Sequence, residues 1–270
     1  MKLDQLGHPA TTLPSEPDGF RVEIDPGAAR ADVVLDRPPL NVVSMVEREQ
    51  LRVVFEALDA DERVRVIVLR AQGPHFSSGG DIAGFLAAPP EHVSRLAWNV
   101  AAPARCTKPV IAATRGYCFG VGFELALACD FRLATDTTRY ALPEQKLGQI
   151  PGSGGSARLQ KMVGLTRAKD IVMRSRRITG VEANAWGVAT DCVPDAELEK
   201  ATAALVAELV AFSPLAQRTA KRLLNETEDA LLSTAIDLEG HCYSRLRSSD
   251  DFAEGVRAFG EKRPPRFDGR

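Results

Sequence analysis

Short apolar runs alternate with helical patterns from about residue 20 to residue 190, and this alternation argues for an α/β fold. Residues 20–25 and 31–36 are strand-like and flank the turn signal Pro26-Gly27, which predicts an opening hairpin. Ser44-Met45-Val46-Glu47 then has the Ser-x-x-Glu form of a capping box. Val46, Leu51, Val54 and Leu58 follow at near-helical spacing. The β-branched run 64–69 predicts a strand, residues 91–104 a helix, 109–113 a strand, 121–129 a helix, 131–134 a strand and 157–162 a further helix. The character changes after Asp191. Residues 198–212, 215–225, 231–246 and 252–259 all carry helical periodicity, with no strand between them. An all-helical tail of this size is small for a core of its own, so its apolar stripes should pack on the preceding domain or on another subunit.

Composition narrows the function classes. The 270 residues, set against roughly 150 per domain, allow one large domain or a core with an appendage. A hydrophobic share of 44% and a charged share of 26% exclude collagen-like, disordered and coiled-coil chains. With 34 basic and 36 acidic residues the formal charge is −2, so nothing predicts attraction to a phosphate backbone, and nucleic acid is not an expected partner. The five cysteines are widely spaced and include no Cys-x-x-Cys pair, which suggests neither a disulfide framework nor a zinc site and fits a reducing cytoplasm. His75, His92 and His241 lack ligand spacing, so no metal is expected. Residues 1–18 carry acidic residues and prolines without an apolar run and read as a loose arm, not a secretory signal. The apolar segment 121–128 is far shorter than the roughly 18 to 20 residues needed to span a bilayer and contains Glu124; no membrane span is expected.

Two segments carry the candidate chemistry: residues 116–130, which include Gly116, Gly120, Gly122 and Glu124, and residues 142–155, which include Glu144, Gly152 and Gly155. Each sets a carboxylate in a largely uncharged stretch. Glycines let main-chain N–H groups approach a ligand, and a helix starting near Val121 would add its positive end, so an oxygen gaining negative charge could be stabilised there. A carboxylate one turn later would be placed for proton transfer. Glycines before a helix also serve simply as turn residues, and a lone glutamate on a helix is commonly solvated. Neither segment alone decides the matter. The spacing 152–155 loosely resembles a phosphate loop, but no Gly-Lys-Ser/Thr follows and no dinucleotide fingerprint is present.

Taken in order, Phe76-Ser77-Ser78-Gly79-Gly80-Asp81, the 116–130 segment and the 142–155 segment resemble the crotonase, or enoyl-CoA hydratase/isomerase, superfamily. The resemblance runs from about residue 20 to Phe259-Gly260-Glu261-Lys262-Arg263. It implies a crotonase-like spiral of ββα units over residues 19–195 and a C-terminal helical oligomerisation region over 196–270. It further implies a homotrimer or dimer of trimers, an acyl-CoA thioester as substrate, and no cofactor beyond the coenzyme A that the substrate carries. Matched by motif, the main-chain N–H groups of Gly80 and Val121 would form the oxyanion hole, and Glu124 and Glu144 the catalytic carboxyl pair, Glu124 activating water and Glu144 protonating the α-carbon. Ser78, Asp81 and Gly120 fall where the substrate would bind, and Asp81 is also placed to cap the following helix. Two departures stand out. Val121 replaces the usual glycine and would project β-branched bulk near the pocket, and Ser77-Ser78 replaces a small apolar pair and would alter the coenzyme contacts.

The implied activity is hydration of a 2-enoyl-CoA to a 3-hydroxyacyl-CoA. Double-bond isomerisation, or thioester or carbon–carbon bond hydrolysis, could reuse the same hole with one acid doing most of the work. A catalytically vestigial scaffold is the reading from a different class; the near-neutral charge and the intact carboxyl pair oppose it. Trp98 and Trp186 read as packing residues, either of which could line an acyl pocket.

Overall fold

The computed structural model describes residues 16–270. The opening hairpin pairs β1 (Phe20–Asp25) with β2 (Arg30–Leu35), antiparallel, with Phe20 opposite Leu35. Helix α1 (Met45–Ala60) starts from the anticipated capping box: Ser44 Oγ accepts from the Glu47 amide, and the Glu47 carboxylate accepts from the Ser44 amide. Strands β3 (Val66–Ala71), β4 (Val110–Ala113), β6 (Phe131–Thr135) and β9 (Asp191–Val193) extend the sheet in parallel, giving the order β1-β2-β3-β4-β6-β9. A second sheet of three short strands, β5 (Tyr117–Phe119), β7 (Arg139–Ala141) and β8 (Ile178–Thr179), runs alongside it. Two successive turns of the chain each give one strand to the large sheet and one to the small sheet before entering a helix: β4-β5 leads to α6 (Val121–Ala128), and β6-β7 leads to α7 (Gly155–Met173).

Both faces of the large sheet are covered. Ile67 and Leu69 of β3 face inward against Phe55 and Leu58 of α1 in the main core, whereas Val66, Val68, Ile111 and Leu133 face outward and are sealed by Leu198, Val206 and Leu209 of α9 (Leu198–Ala211). Strands buried on both faces read as continuous apolar runs, which is why 64–69 carries no alternation. The three short strands of the second sheet, and the small helix α8 (Gly180–Ala185), fell below the length at which periodicity can be seen.

Three expectations need correction. The helix anticipated over 91–104 is broken into α3 (Pro90–Ser94), α4 (Leu96–Val100) and α5 (Ala102–Arg105). Pro103 lacks an N–H and would clash with the carbonyl four residues back, so the chain restarts at α5. The helix anticipated at 157–162 is longer, because α7 continues through a kink at Gly164 (φ 77°, ψ 166°) to Met173. The loose arm lies outside the described residues up to residue 15; its last residues are held, since the Asp18 carboxylate pairs with Arg37 and accepts from Ser44 Oγ, and its amide donates to Gln50 Oε1 at 2.7 Å.

The last three helices are α10 (Pro214–Thr227), α11 (Leu232–Arg247) and α12 (Asp250–Glu261). One buried cation fixes α10 to the core: Lys221 Nζ donates to the carbonyls of Pro103 and Lys108, each at 2.9 Å, and to Asp130 Oδ2 at 2.7 Å. Asp130 lies two residues past the C-terminal end of α6 and also accepts from the Val110 amide at 2.7 Å. Replacing Lys221 with methionine leaves a largely buried carboxylate without its cation, a change that costs on the order of 3 kcal/mol. The Lys221→Met protein should unfold at lower urea concentration than the parent, measured by circular dichroism; an unchanged midpoint would contradict this account of α10.

Candidate active site

The site forms where the loop 76–81 is zipped onto β5. Ser77 N donates to the Tyr117 carbonyl at 2.8 Å, Phe119 N to the Ser77 carbonyl at 2.9 Å, and Val43 N to the Gly79 carbonyl at 2.9 Å. Ser77 is fully buried, and its Oγ accepts from the Gly79 amide at 3.1 Å. Its side chain shapes the loop and packs against Gly122, whose missing Cβ would lie 2.6 Å from Ser77 Cβ. The expectation that Ser77 alters coenzyme contacts is thereby corrected: with no exposed surface, it has none to offer.

At the end of β5 the chain turns through Gly120 (φ 50°, ψ −126°), a conformation that residues with a side chain rarely adopt, and enters α6. Gly120 N donates to the Ala141 carbonyl of β7 at 3.0 Å. The next amide, that of Val121, donates to no described residue, and the same holds for the Gly80 amide across the cleft. Gly79 and Gly120 pack directly against each other. The two free amides thus lie on adjoining segments, one of them at a helix N-terminus, an arrangement suited to an oxygen that gains negative charge. The bulk anticipated from Val121 does not enter the cleft, because its side chain is 4% exposed and belongs to the main core.

Glu124 lies one turn into α6 and is 3% exposed. Its Oε1 accepts from the Ser153 amide at 2.7 Å and the Gly155 amide at 3.1 Å. Burial raises its pKa above the ordinary carboxylate value, a shift opposed by those two amides and by the charge of Arg48. Glu144 opens a single 3-10 turn (Glu144–Leu147) just after β7, with Oε1 3.2 Å from where a Gly120 Cβ would stand. Its Oε2 is enclosed without a hydrogen-bond partner. Burial first, and the negative charge of Glu124 as a further contribution, push Glu144 up to about 7. The structure brings both carboxyls and both free amides to one cleft.

The other candidates divide. Gly120 lines the cleft beside Glu144. Ser78 is partly buried in the loop, where its amide donates to the Leu40 carbonyl at 2.8 Å. Asp81 occupies the N-cap position of α2 (Ile82–Ala87), yet its side chain makes no capping hydrogen bond, which corrects the anticipated capping role. Trp98 is 57% exposed under the Arg105 guanidinium and lines the cavity beside α10, whereas Trp186, partly buried beneath Arg167 and Arg176, packs against the main core. A cavity of about 1130 Å³ lined by α10 residues reaches Ser153 and Arg158 but not Glu124 or Glu144. Among the described residues no group of three or more histidines, cysteines, aspartates or glutamates could hold a metal ion, and no helix is long and apolar enough to cross a membrane.

Three roles carry no expectation from the sequence, although Gly155 lies in the candidate segment 142–155. Ser153 and Gly155 act through their amides, which no side-chain pattern reports. Arg48 did leave a signal: it lies three residues before Leu51 and seven before Phe55, on the stripe of α1 that faces the core, where a charge is out of place. It is 2% exposed. Burial lowers its pKa to about 10, so it remains cationic at neutral pH.

Comparison with known proteins places the chain in a family. Residues 27–270 match the family model described as enoyl-CoA hydratase/isomerase. The chain is 35% identical over 239 residues to the mitochondrial methylglutaconyl-CoA hydratase of Mus musculus, covering 85% of this chain and 76% of that one. It is 36% identical over 254 residues to the carnitinyl-CoA dehydratase of Salmonella arizonae, covering 88% and 94%. The crystal structure of the enoyl-CoA hydratase from Bacillus anthracis superposes with a TM-score of 0.88 at 30% identity, covering 94% of this chain and all of that one. A spiral of paired strands and helices with a helical C-terminal region defines the crotonase fold. The chain belongs to the enoyl-CoA hydratase/isomerase family.

The raised pKa of Glu144 has a consequence for stability. The folded chain holds this proton more tightly than the unfolded chain, whose glutamates titrate near 4.5, so the group's contribution to stability is lost as pH rises from about 4.5 through about 7. Glu144→Gln removes that penalty. Its melting temperature should exceed that of the parent at pH 8, with the difference shrinking at pH 4; a pH-independent difference in calorimetry would refute the assignment.

Proposed function

We propose that the protein is an enoyl-CoA hydratase, adding water reversibly across the double bond of a 2-enoyl-CoA to give a 3-hydroxyacyl-CoA. The observation that carries this reading is the pairing of a buried carboxyl, Glu124, with a half-buried one, Glu144, whose Oε2 is sealed from solvent, next to two amides with no acceptor among the described residues. Gly80 N and Val121 N donate to the thioester carbonyl. Glu124, as carboxylate, takes a proton from water as the water oxygen bonds to the β-carbon. The π electrons move toward the thioester oxygen, where the two amides stabilise the charge. Glu144, as carboxylic acid, protonates the α-carbon. Transfer of a proton from Glu124 to Glu144 then restores the site.

Electrostatics supports the division of labour. Two nearby carboxyls in a partly dry cleft disfavour double ionisation, so one proton is held between them. Glu124 has the better claim to the negative charge because two amides and the charge of Arg48 favour it, whereas Glu144 has an unpartnered oxygen and a pKa near working pH. The reaction is redox-neutral and calls for no metal or organic cofactor beyond the substrate's own coenzyme A. Ser78, Asp81 and Gly120 are the proposed substrate contacts. Five unpaired cysteines suit a reducing, cytoplasmic setting.

Glu124→Gln and Glu144→Gln should each lower hydratase turnover with crotonyl-CoA by at least about a hundredfold while leaving thioester binding largely intact, followed by loss of enoyl absorbance. Rates near those of the parent in either variant would reject the mechanism. Double-bond migration without hydration would favour an isomerase.

Assembly as a trimer or dimer of trimers belongs to the same proposal. Helix α11 has no buried residue, and Leu231, Leu232, Ile236 and Tyr243, with Phe252, Val256 and Phe259 on and beside α12, are exposed. So much apolar surface on consecutive helices calls for a partner surface. Light scattering at micromolar concentration should give three or six times the 29.2 kDa chain mass; a strictly monomeric species would overturn this part.

A further inference from the structure

Arg48 is a charge for which the hydration mechanism has no direct use. Its guanidinium is enclosed in the body of the protein, and Nε is sealed from solvent without an acceptor. Neither terminal nitrogen donates to any described residue. Nearby acids do not fill the gap. Glu124 Oε1 is already committed to the Ser153 and Gly155 amides. Glu47 is engaged with Arg37 at 3.0 Å and with the α1 cap. Asp81 makes no ion pair or hydrogen bond with it and acts only through its charge. On one side the guanidinium is covered by the Phe85 ring, 4.7 Å away. A buried guanidinium whose donors meet no acceptor among the described residues, with Nε fully sealed, is a costly group for a fold to carry unless a ligand supplies the acceptor.

Its position says where that ligand group must be. A methyl group on Gly80 would overlap Arg48 Nη2, which puts this nitrogen within about 4 Å of the Gly80 Cα. Gly80 is the residue whose free amide faces the cleft. The guanidinium therefore stands at the thioester end of the site. Coenzyme A phosphates are separated from the thioester by the whole pantetheine arm, so the anion that meets Arg48 must belong to the acyl group.

We propose that Arg48 is a specificity-determining residue, and that the site selects short enoyl-CoA thioesters whose acyl group carries a carboxylate. This rests on the placement of the thioester carbonyl against Gly80 and Val121 set out above. A carboxylate matches the planar fork of the guanidinium and can accept two parallel hydrogen bonds, with Phe85 excluding water from the pair. An aliphatic acyl group would instead leave the cation without an acceptor at every turnover. The electrostatic effect of Arg48 on Glu124 is separable, because it acts on all substrates alike.

The test compares glutaconyl-CoA with pent-2-enoyl-CoA, five-carbon enoyl chains that end in a carboxylate and a methyl group. The parent enzyme should hydrate the first with kcat/KM about tenfold or more above the second. Arg48→Met should reduce that ratio by about tenfold or more; taking the ratio cancels any effect of the substitution on Glu124. Equal kcat/KM values in the parent, or a ratio unchanged in Arg48→Met, would overturn the proposal. A second measurement needs neither the variant nor turnover: calorimetric titration of the native assembly with the saturated thioesters glutaryl-CoA and pentanoyl-CoA. Tighter binding of glutaryl-CoA supports the proposal even if neither enoyl thioester is hydrated, in which case only the hydratase reading fails. Equal binding of the two saturated thioesters rejects the proposal, whatever the hydration assay shows.

Discussion

A carboxylate sealed from solvent must be matched by donors, and the way Glu124 meets this requirement organises the cleft. Its Oε1 accepts two main-chain N–H groups from residues 153 and 155. Both donors come from the turn that opens α7, so this turn must cross directly over α6. The crossing is close enough that a Cβ on Gly155 would lie 3.0 Å from the carboxyl group, so a side chain there would press on the Glu124 and Leu142 side chains. Between β7 and that turn the chain has only residues 142–154 in which to arrive, and Glu144 lies at the start of this span, next to Gly120. One pair of hydrogen bonds thereby orders the helix that carries Glu124 and the segment that carries Glu144.

Geometry and chemistry are divided between main chain and side chains. The proposed oxyanion donors are amides, fixed by β5, by the zipper of loop 76–81 on that strand and by the positive φ of Gly120. A hole built from amides places few demands on its own side chains, which are free to turn into the core, as Val121 and Ser77 do. The proposed acid and the proposed specificity residue approach from other elements: Glu144 from the turn after β7 and Arg48 from α1. Substitution at those positions can alter the reaction or its substrate without moving the donors. Such an arrangement suits a family whose relatives here include both a hydratase and a dehydratase.

Legibility in the sequence followed the same division. Elements long enough to show periodicity were readable: the hairpin, α1 with its capping box, β3, β4, α6, β6 and the four late helices. Strands of two or three residues, such as β5, β7 and β8, could not be read because one alternation is no pattern, yet these strands hold the cleft together. The apolar spacing of 91–104 predicts one continuous helix, and the structure breaks it, at Pro103 among other points. In the site, side-chain carboxyls in an apolar setting were visible through their chemistry. The amides of Ser153 and Gly155 were not, since a main-chain donor has the same sequence signature everywhere. Arg48 was legible in principle. Helical spacing put it on the buried stripe with Leu51 and Phe55, and a charge on that stripe needs either a partner or a purpose.

Helix α6 also joins the cleft to the outer surface. At eight residues it is about 12 Å long. Its first turn carries Val121 and Glu124; the residue two past its last turn is Asp130, which holds Lys221 of α10. From α10 the chain passes directly into α11 and α12, whose apolar faces are exposed. The Lys221–Asp130 pair thereby ties α10 to the end of the short helix that carries Glu124. Wherever a second copy of the chain covers α11 and α12, its contact is one buried lysine and one short helix away from the carboxyl pair.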